Sequence, residues 1–348
     1  MRLHEVLAHK RYAHVRVEGV VDETLIVTRP NGIFKKTPPS LAAMTLVVTG
    51  SIGIDEIELP SGERRSGLLG GSCAYFAAAA SFHGPVRIVA AAGDDLTREQ
   101  RATLERFSID TRGLEIRTGK KTFRWGGKYL GNMDARQSLY TELNVLGDKP
   151  ASVPDAYKDS AFIFLANMNP VQQRAMLAQF PRRRLAVADT MNFWIETARD
   201  DLELLLKEVD GLVLNYDEAK QFTGKQNAVA AAKQLLELGP RFIVVKKGEH
   251  GAIVVHRDGI AALPAYPAET IVDPTGAGDS FAGGMMGFLA AHADEDPGAF
   301  GAILRALAHG TVIASFTIED FSLDRLARLT KEELDARFQE FAAMLKVE

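Results

Sequence analysis

The sequence predicts an α/β protein: a doubly wound, mainly parallel sheet flanked by helices, with a small β lid. Three observations lead there. From Met44 onward, short apolar runs bounded by Gly, Asn or Asp alternate with segments of helical apolar spacing. The runs are apolar on both faces, as strands covered by helices on two sides must be. One stretch, 117–146, breaks the alternation by interleaving polar with aromatic or β-branched residues, which is the pattern of a half-exposed antiparallel hairpin.

In chain order, residues 1–43 stand apart. They open on MRLHEVLAHKRYAHVRVEGVV, which has basic residues but no apolar stretch of the kind a secretory signal needs. Residues 17–28 read as a strand or hairpin and 29–43, rich in Pro, Lys and small residues, as a linker. We expect an N-terminal arm, or an overlong start, over 1–43 and one α/β domain over 44–348. Strands are predicted at MTLVVTG (44–50), VRIVAAAG (86–93), AFIFLANM (161–168), LAVADT (185–190), GLVLNY (211–216) and RFIVVKKG (241–248). Helices are predicted over 72–82, 98–107, 170–180, 201–208 and 228–238, and lid strands over 56–69 and 117–146, where Gly126, Gly127 and Gly131 supply turns.

Composition narrows the function classes. A chain of 348 residues can bury a large core, as two domains or as one α/β core with an appendage. A net charge of −4 points to no nucleic-acid partner and no membrane surface. No run of roughly 18 uncharged apolar residues is present. Cys73 is the single cysteine, which excludes an internal disulfide framework and suits a reducing cytoplasm. TGKKTF and FTGKQN lack Walker A spacing, GSIGID lacks a G-x-G-x-x-G pattern, and the histidines have no zinc spacing. Gly283 and Gly287 read as a close-packing face of a core helix.

The chemistry concentrates in DPTGAGDSFAGG, 273–284. Gly276, Ala277 and Gly278 leave backbone N–H groups unshielded, and a helix opening near Asp279 adds its own free donors and positive dipole end. That is an anion cradle. An acid at its mouth repels phosphate, so Asp279 reads as a base that takes a proton from an attacking hydroxyl. A capped loop before a helix is the plainer alternative. Asn215 and Glu218, three apart after a strand, share a helix face; the carboxylate suits Mg²⁺ through water and the amide suits phosphate, although N-x-x-E is also a helix cap. Lys246, Gly248 and Gly251 lie at a strand end in VVKKGEHG, where a glycine turn lets backbone approach a nucleotide. Asp55 follows the first strand, close to where a doubly wound sheet binds its ligand.

These motifs resemble the ribokinase (PfkB-type) family of carbohydrate and nucleoside kinases, over about 44–318. The resemblance implies a ribokinase-like fold, ATP and Mg²⁺ as cofactors, and Asp279 as catalytic base. The Gly276, Ala277 and Gly278 amides become the anion hole, with Asn215 and Glu218 as the metal-and-phosphate pair. It further implies that Asp55, Gly70 and Gly71 hold the sugar, that His309 stands where relatives border the adenine, and that K⁺ binds at Asp273 and Thr275. Asp189 resembles an Asp at a comparable strand end, with a helix N-cap as its other reading. The lid in such enzymes closes over the sugar and often forms a homodimer contact. Two positions depart from the pattern. Lys246 replaces the usual hydroxyl residue, and Tyr75 replaces an Asn, an aromatic ring able to stack on a base or sugar face. The expected activity is ATP-dependent phosphorylation of a primary hydroxyl on a sugar or a nucleoside. Adenosine-type nucleoside specificity is one alternative, with Phe123, Trp125 and Phe193 as further candidates for stacking a base, although each of these rings, Tyr75 included, also reads as a core residue. A non-catalytic nucleotide-binding module is another, opposed by the presence of both Asp279 and Glu218, and a nicotinamide-dependent oxidoreductase has no glycine fingerprint behind it.

Overall fold

A computed structural model describes residues 45–131, 133, 135–292 and 296–346. The predicted arm over 1–43 lies outside the described residues, as does Met44. The first strand, β1 (Leu46–Thr49), leads into β2 (Gly53–Glu58), β3 (Arg64–Gly70) and α1 (Ser72–Ala80). Next come β4 (Val86–Gly93), α2 (Arg98–Glu105), β5 (Ile109–Arg117), β6 (Phe123–Leu130) and β7 (Ala135–Glu142). The chain then alternates through β8 (Phe162–Leu165), α3 (Pro170–Leu177), β9 (Leu185–Asp189), α4 (Asn192–Thr197), α5 (Arg199–Leu206), β10 (Gly211–Asn215), α6 (Tyr216–Thr223), α7 (Ala228–Leu236) and β11 (Phe242–Lys246). A hairpin of β12 (Ala252–His256) and β13 (Gly259–Leu263) precedes α8 (Ala277–His292), α9 (Phe300–Thr317), α10 (Asp324–Arg328) and α11 (Lys331–Met344).

Nine strands form one sheet in the order β13-β12-β11-β10-β9-β8-β1-β4-β5. Pairing is parallel from β11 through β5 and antiparallel for β12 and β13. The chain runs from β1 outward to β4 and β5, then returns to β8 on the other flank of β1. Ligands gather beyond the carboxyl ends of strands at such a reversal. The six predicted strands are all in this sheet. β5 and β13 were not predicted, because their half-exposed residues lack the doubly apolar signature of buried strands; β12, whose residues AIVVH are mostly buried, was also missed.

Strand alternation divides the interior into two layers. Leu185, Val187, Val213, Phe242 and Val244 point toward α1, α8, α9 and α11. Their neighbours Ala186, Ala188, Leu212, Leu214, Ile243 and Val245 point toward α3, α5, α6 and α7. On the first face α1 and α8 pack so closely that a Cβ on Gly283 would meet the Phe76 carbonyl and one on Gly287 would lie 2.9 Å from that of Ala80. The G-x-x-x-G pair therefore serves helix contact in a protein interior. α9 has the length and apolarity of a membrane-spanning helix, but most of it is buried inside the protein.

The lid is a separate four-stranded sheet, β3-β2-β6-β7. The antiparallel hairpin β6–β7 was expected from the alternation of 117–146, and 56–69 was expected to supply lid strands, which it does in the antiparallel pair β2–β3; the parallel β2–β6 pairing that joins the two was not expected, since local patterning does not encode it. The lid's start is anchored to β4. Asp95 accepts hydrogen bonds from the Thr122 N–H and hydroxyl, both at 2.7 Å, and from Arg124 at 2.9 Å, while Asp94 takes the Gly119 N–H at 2.7 Å.

Gly283→Val should test the α1–α8 approach. The added side chain meets the Phe76 backbone and the Ala79 methyl, neither of which can swing aside, so unfolding should shift to lower urea by the equivalent of roughly 1–3 kcal/mol. An unchanged midpoint would mean that the two helices do not pack this tightly.

Candidate active site

The loop before α8 shapes itself from short-range bonds. Asp273 Oδ1 accepts the Thr275 N–H at 2.9 Å, Gly276 takes a φ of 76°, and the Ser280 N–H reaches the Gly276 carbonyl at 2.8 Å. The helix begins at Ala277, two residues ahead of the expected opening near Asp279, so Asp279 lies inside the first turn. One of the three expected donors is spent: the Ala277 N–H bonds the Pro274 carbonyl at 3.2 Å. The amides of Gly276, Gly278 and Asp279 have no main-chain acceptor among the described residues. They stand at the positive end of a 16-residue helix, which is the chemistry of an anion site.

Three strand ends face this turn. Asp189 continues the side of Leu185 and Val187, Asn215 that of Val213, and Lys246 that of Phe242 and Val244, with Asp189 opposite Val213 and Lys246 opposite Asn215 in register. All three therefore lie on the α8 side of the sheet. Lys246 Nζ lies 2.8 Å from where a Cβ on Gly278 would stand. Asn215 caps α6 as anticipated for N-x-x-E: its Oδ1 accepts the Glu218 N–H at 2.8 Å, and Glu218 Oε2 accepts the Asn215 N–H at 2.7 Å. The cap uses half of each side chain. Asn215 Nδ2 and Glu218 Oε1 keep no hydrogen-bond partner among the described residues, so the structural and ligand-binding readings of this pair are compatible. Asp189 also has a local role, accepting the Thr190 N–H at 2.7 Å, but it is 5% exposed and faces Lys246.

Burial sets the protonation of these acids. Asp279 is half-buried, reachable from solvent yet stripped of most hydration; that loss, with Asp189 nearby, pushes its carboxyl up to about 7 against the opposing charges of Lys246 and Arg136. Glu218, 4% exposed, is raised to about 7 by burial and by Asp189. Lys246 is held protonated by Asp189, Glu218 and Asp279, whose attraction outweighs its desolvation.

On the other side of the turn, Asp55 leaves β2 beside Gly70; a Cβ there would collide with its carboxylate. Asp55 is 5% exposed and raised to about 8 by burial, then by Asp273 and Asp279. Gly71 has a φ of 92°, and a Cβ on it would lie 2.6 Å from the Gly53 nitrogen. Gly70 and Gly71 precede the α1 N-terminus, which leaves less backbone open to a sugar than the resemblance implies. The Ser72 N–H donates to Ser51 Oγ at 3.1 Å and the Cys73 N–H to the Ser51 carbonyl at 2.9 Å, so these donors are closed to a ligand. Tyr75 is corrected as well. Its ring, 2% exposed, lies directly under Gly276, where a Cβ would enter it, so it supports the turn and is not open to stack on a base or sugar. Burial together with Asp273, Asp55, Tyr129 and Asp279 holds its hydroxyl protonated.

The lid contributes residues that the sequence reasoning missed. The Tyr129 hydroxyl bonds Thr275 Oγ1 at 2.9 Å, tying β6 to the anion turn. Arg136, opposite Tyr129 in register, carries its guanidinium 5.4 Å above the Trp125 ring, and its charge acts on Asp55, Glu218 and Asp279. The period-2 alternation of 117–146 was the available signal, but it becomes informative only with the β6–β7 register.

One expected nucleotide contact is placed differently. His309 stacks between Phe288 and Phe338, with ring centroids 4.1 Å apart on each side. Phe288 is nine residues beyond Asp279 along α8, about 13 Å at 1.5 Å per residue, so the His309 ring belongs to the helix core. Gly251, with a φ of 80°, has no room for a side chain, since a Cβ would meet the Leu263 carbonyl at the end of β13 and the backbone of Pro264 and Ala265 beyond it; Gly248 sits exposed in the same turn with a φ of 57°.

Residues 47–325 match the pfkB family carbohydrate kinase. The chain belongs to the pfkB family of carbohydrate kinases. Among its relatives, a cytidine kinase of Thermococcus kodakarensis is 30% identical over 251 residues, 70% of this chain and 87% of the relative. A nucleoside kinase of Burkholderia thailandensis, solved in complex with inosine, superposes with a TM-score of 0.69 at 17% identity, covering 85% of this chain and 97% of that one. A putative ribokinase II from E. coli, solved with ATP and Mg²⁺, gives 0.66 at 17% identity over 85% and 99%. The fold is thus ribokinase-like, and this pfkB protein is a sugar or nucleoside kinase, a phosphotransferase with an alcohol acceptor, for which ATP is the implied donor.

The raised Asp55 carboxyl has a sign that can be checked. Its folded pKa lies above the unfolded value, so ionisation costs the folded state an amount that grows as pH rises from about 4 and levels off above about 8. Asp55→Asn removes that cost. The variant should gain melting temperature over the parent, with a larger gain at pH 8.5 than at pH 5; an equal difference at both would mean Asp55 is not desolvated.

Proposed function

We propose that this kinase transfers the γ-phosphate of ATP to the primary hydroxyl of a nucleoside. The observation that carries the transfer chemistry is the unpaired Gly276, Gly278 and Asp279 amides beside the half-buried Asp279 carboxyl. The similarity to a cytidine kinase across most of both chains supports a nucleoside over a free sugar. Asp55, on the acceptor side of the turn, accepts hydrogen bonds from ribose hydroxyls. Asp279, ionised above about pH 7, takes the proton of the primary hydroxyl as its oxygen forms a bond to the γ-phosphorus; the bond to the bridging oxygen breaks and ADP leaves with that electron pair. The free amides stabilise charge on the equatorial oxygens.

Mg²⁺ suits Glu218, whose Oε1 keeps no protein partner, and the lack of an all-protein cage of acids and histidines among the described residues accords with a metal bound chiefly by phosphates and water. When bound it supplies neutralising charge for the phosphates. Asn215 Nδ2 then reaches phosphate without adding charge. K⁺ suits Asp273, whose buried Oδ2 has no hydrogen-bond partner, with Thr275 beside it. Gly248 and Gly251 form the outer turn of the nucleotide wall.

Asp279→Asn should keep ADP affinity within a few-fold of the parent, by calorimetry, while turnover falls roughly 10²- to 10⁴-fold. Comparable turnover in both would remove Asp279 as the base. A panel of nucleosides, ribose and fructose, followed by ADP release, should give the highest kcat/KM with a nucleoside. A free sugar in first place would overturn the acceptor assignment and leave the transfer chemistry intact.

A further inference from the structure

Lys246 is a cation among acids that pairs with none of them. Its ammonium is flanked by Asp189, Glu218 and Asp279, each close enough to act on its charge. Yet among the described residues no carboxylate lies within 4.0 Å of it, and it makes no hydrogen bond. An unoccupied half-buried ammonium would ordinarily swing onto the nearest carboxylate. Here the side chain runs along the anion turn, with Nζ, Cε and Cδ at 2.8, 3.6 and 3.8 Å from the side-chain position of Gly278. Gly278 must be bare for that path. The stem is positioned by the sheet, since Lys246 is the last residue of β11 and shares the α8 face with Asn215 and Asp189. The space before the ammonium is bounded by the free amides, the proposed base and the acid suited to Mg²⁺.

We propose, on the phosphotransfer reading above, that Lys246 is a catalytic residue whose ammonium contacts a non-bridging oxygen of the phosphoryl group in transit, beside the Gly278 and Asp279 amides. A fixed cation at that point follows the charge as it shifts from the γ-phosphate of ATP to the transferred group. A hydroxyl at the same position donates a hydrogen bond but carries no charge, so the ammonium gives this chain a second resident positive group besides the helix end. The same charge keeps Asp279 closer to ionised, because Lys246 opposes the desolvation that raises it.

Lys246→Gln, Lys246→Thr and Lys246→Arg test this with two readouts. The first is kcat and KM for ATP with the best nucleoside, across pH 5.5–9. Gln and Thr should lower kcat roughly 10²-fold, the usual loss for one charge-stabilising donor, with a smaller change in KM, and should move the acidic limb of kcat/KM to higher pH; Arg should restore much of kcat. The second needs no turnover: the preference for ADP with aluminium fluoride over ADP alone, by calorimetry, should fall at least tenfold in Gln and Thr. Both variants matching the parent in kcat and in that preference, or a loss confined to KM, would overturn the assignment. Lys246→Thr at parental kcat would do so too, since a hydroxyl would then suffice. Parental enzyme that phosphorylates neither nucleoside nor sugar would instead overturn the phosphotransfer reading itself. A Gln variant too unstable for kinetics leaves the Arg variant decisive, through recovery or loss of the aluminium fluoride preference.

Discussion

Asp55, Asp189, Glu218, Asp273 and Asp279 converge on one cleft where water is scarce, and every other feature of the site answers to that crowding. Carboxylates placed together in a poorly hydrated space repel one another and favour their neutral forms. For each of the five, burial pushes the carboxyl upward, and in Asp55, Glu218 and Asp279 neighbouring acids push further. The cations are correspondingly sparse and come from opposite walls: Lys246 from the sheet, Arg136 from the lid. A polyanionic donor would enter such a cleft only with positive partners, and the exposed N–H groups at the start of α8 supply partial charge without adding a proton to the balance.

The scaffold makes the crowding mechanically unavoidable. Parallel strands with both faces buried end on one edge of the sheet, and their terminal residues on the α8 side have nothing apolar left to pack on. Gln173 reinforces that edge by donating to the carbonyls of Leu165, Ala166 and Asp189, at 2.9, 3.1 and 2.9 Å. Beneath the turn, Tyr75 fills the volume that a smaller residue would leave open. Asp189, Asn215, Lys246 and Asp279 thus sit on rigid strand ends and a helix start, and Asp273 on a short loop held by its own bond to the Thr275 N–H, so little is free to relax the repulsion.

Local signals made much of this legible. The six buried strands announced themselves because doubly apolar runs of four to eight residues have few other uses, and 273–279 and 215–218 could be read since their chemistry is written within seven residues. What escaped depends on distant pairing. Tyr129 and Arg136 acquire roles only when β6 lies parallel to β2, some 70 residues away, and β7 brings Arg136 onto the same face. Tyr75 was misjudged for a related reason: residue type says that a ring can stack, but only tertiary context says that Gly276 already occupies its face. His309 likewise matched a position by alignment while its ring was claimed by Phe288 and Phe338. The Ser51 bonds that close the start of α1 join a strand end to a helix start, and no propensity argument forecasts them.

The bond from the Tyr129 hydroxyl to Thr275 joins the lid sheet to the loop that opens α8, the two parts that the proposed function assigns to the alcohol and to the phosphates. Any movement of the cover stretches or carries that tie. Occupancy of one half therefore changes the free energy of filling the other, by an equal amount in either direction.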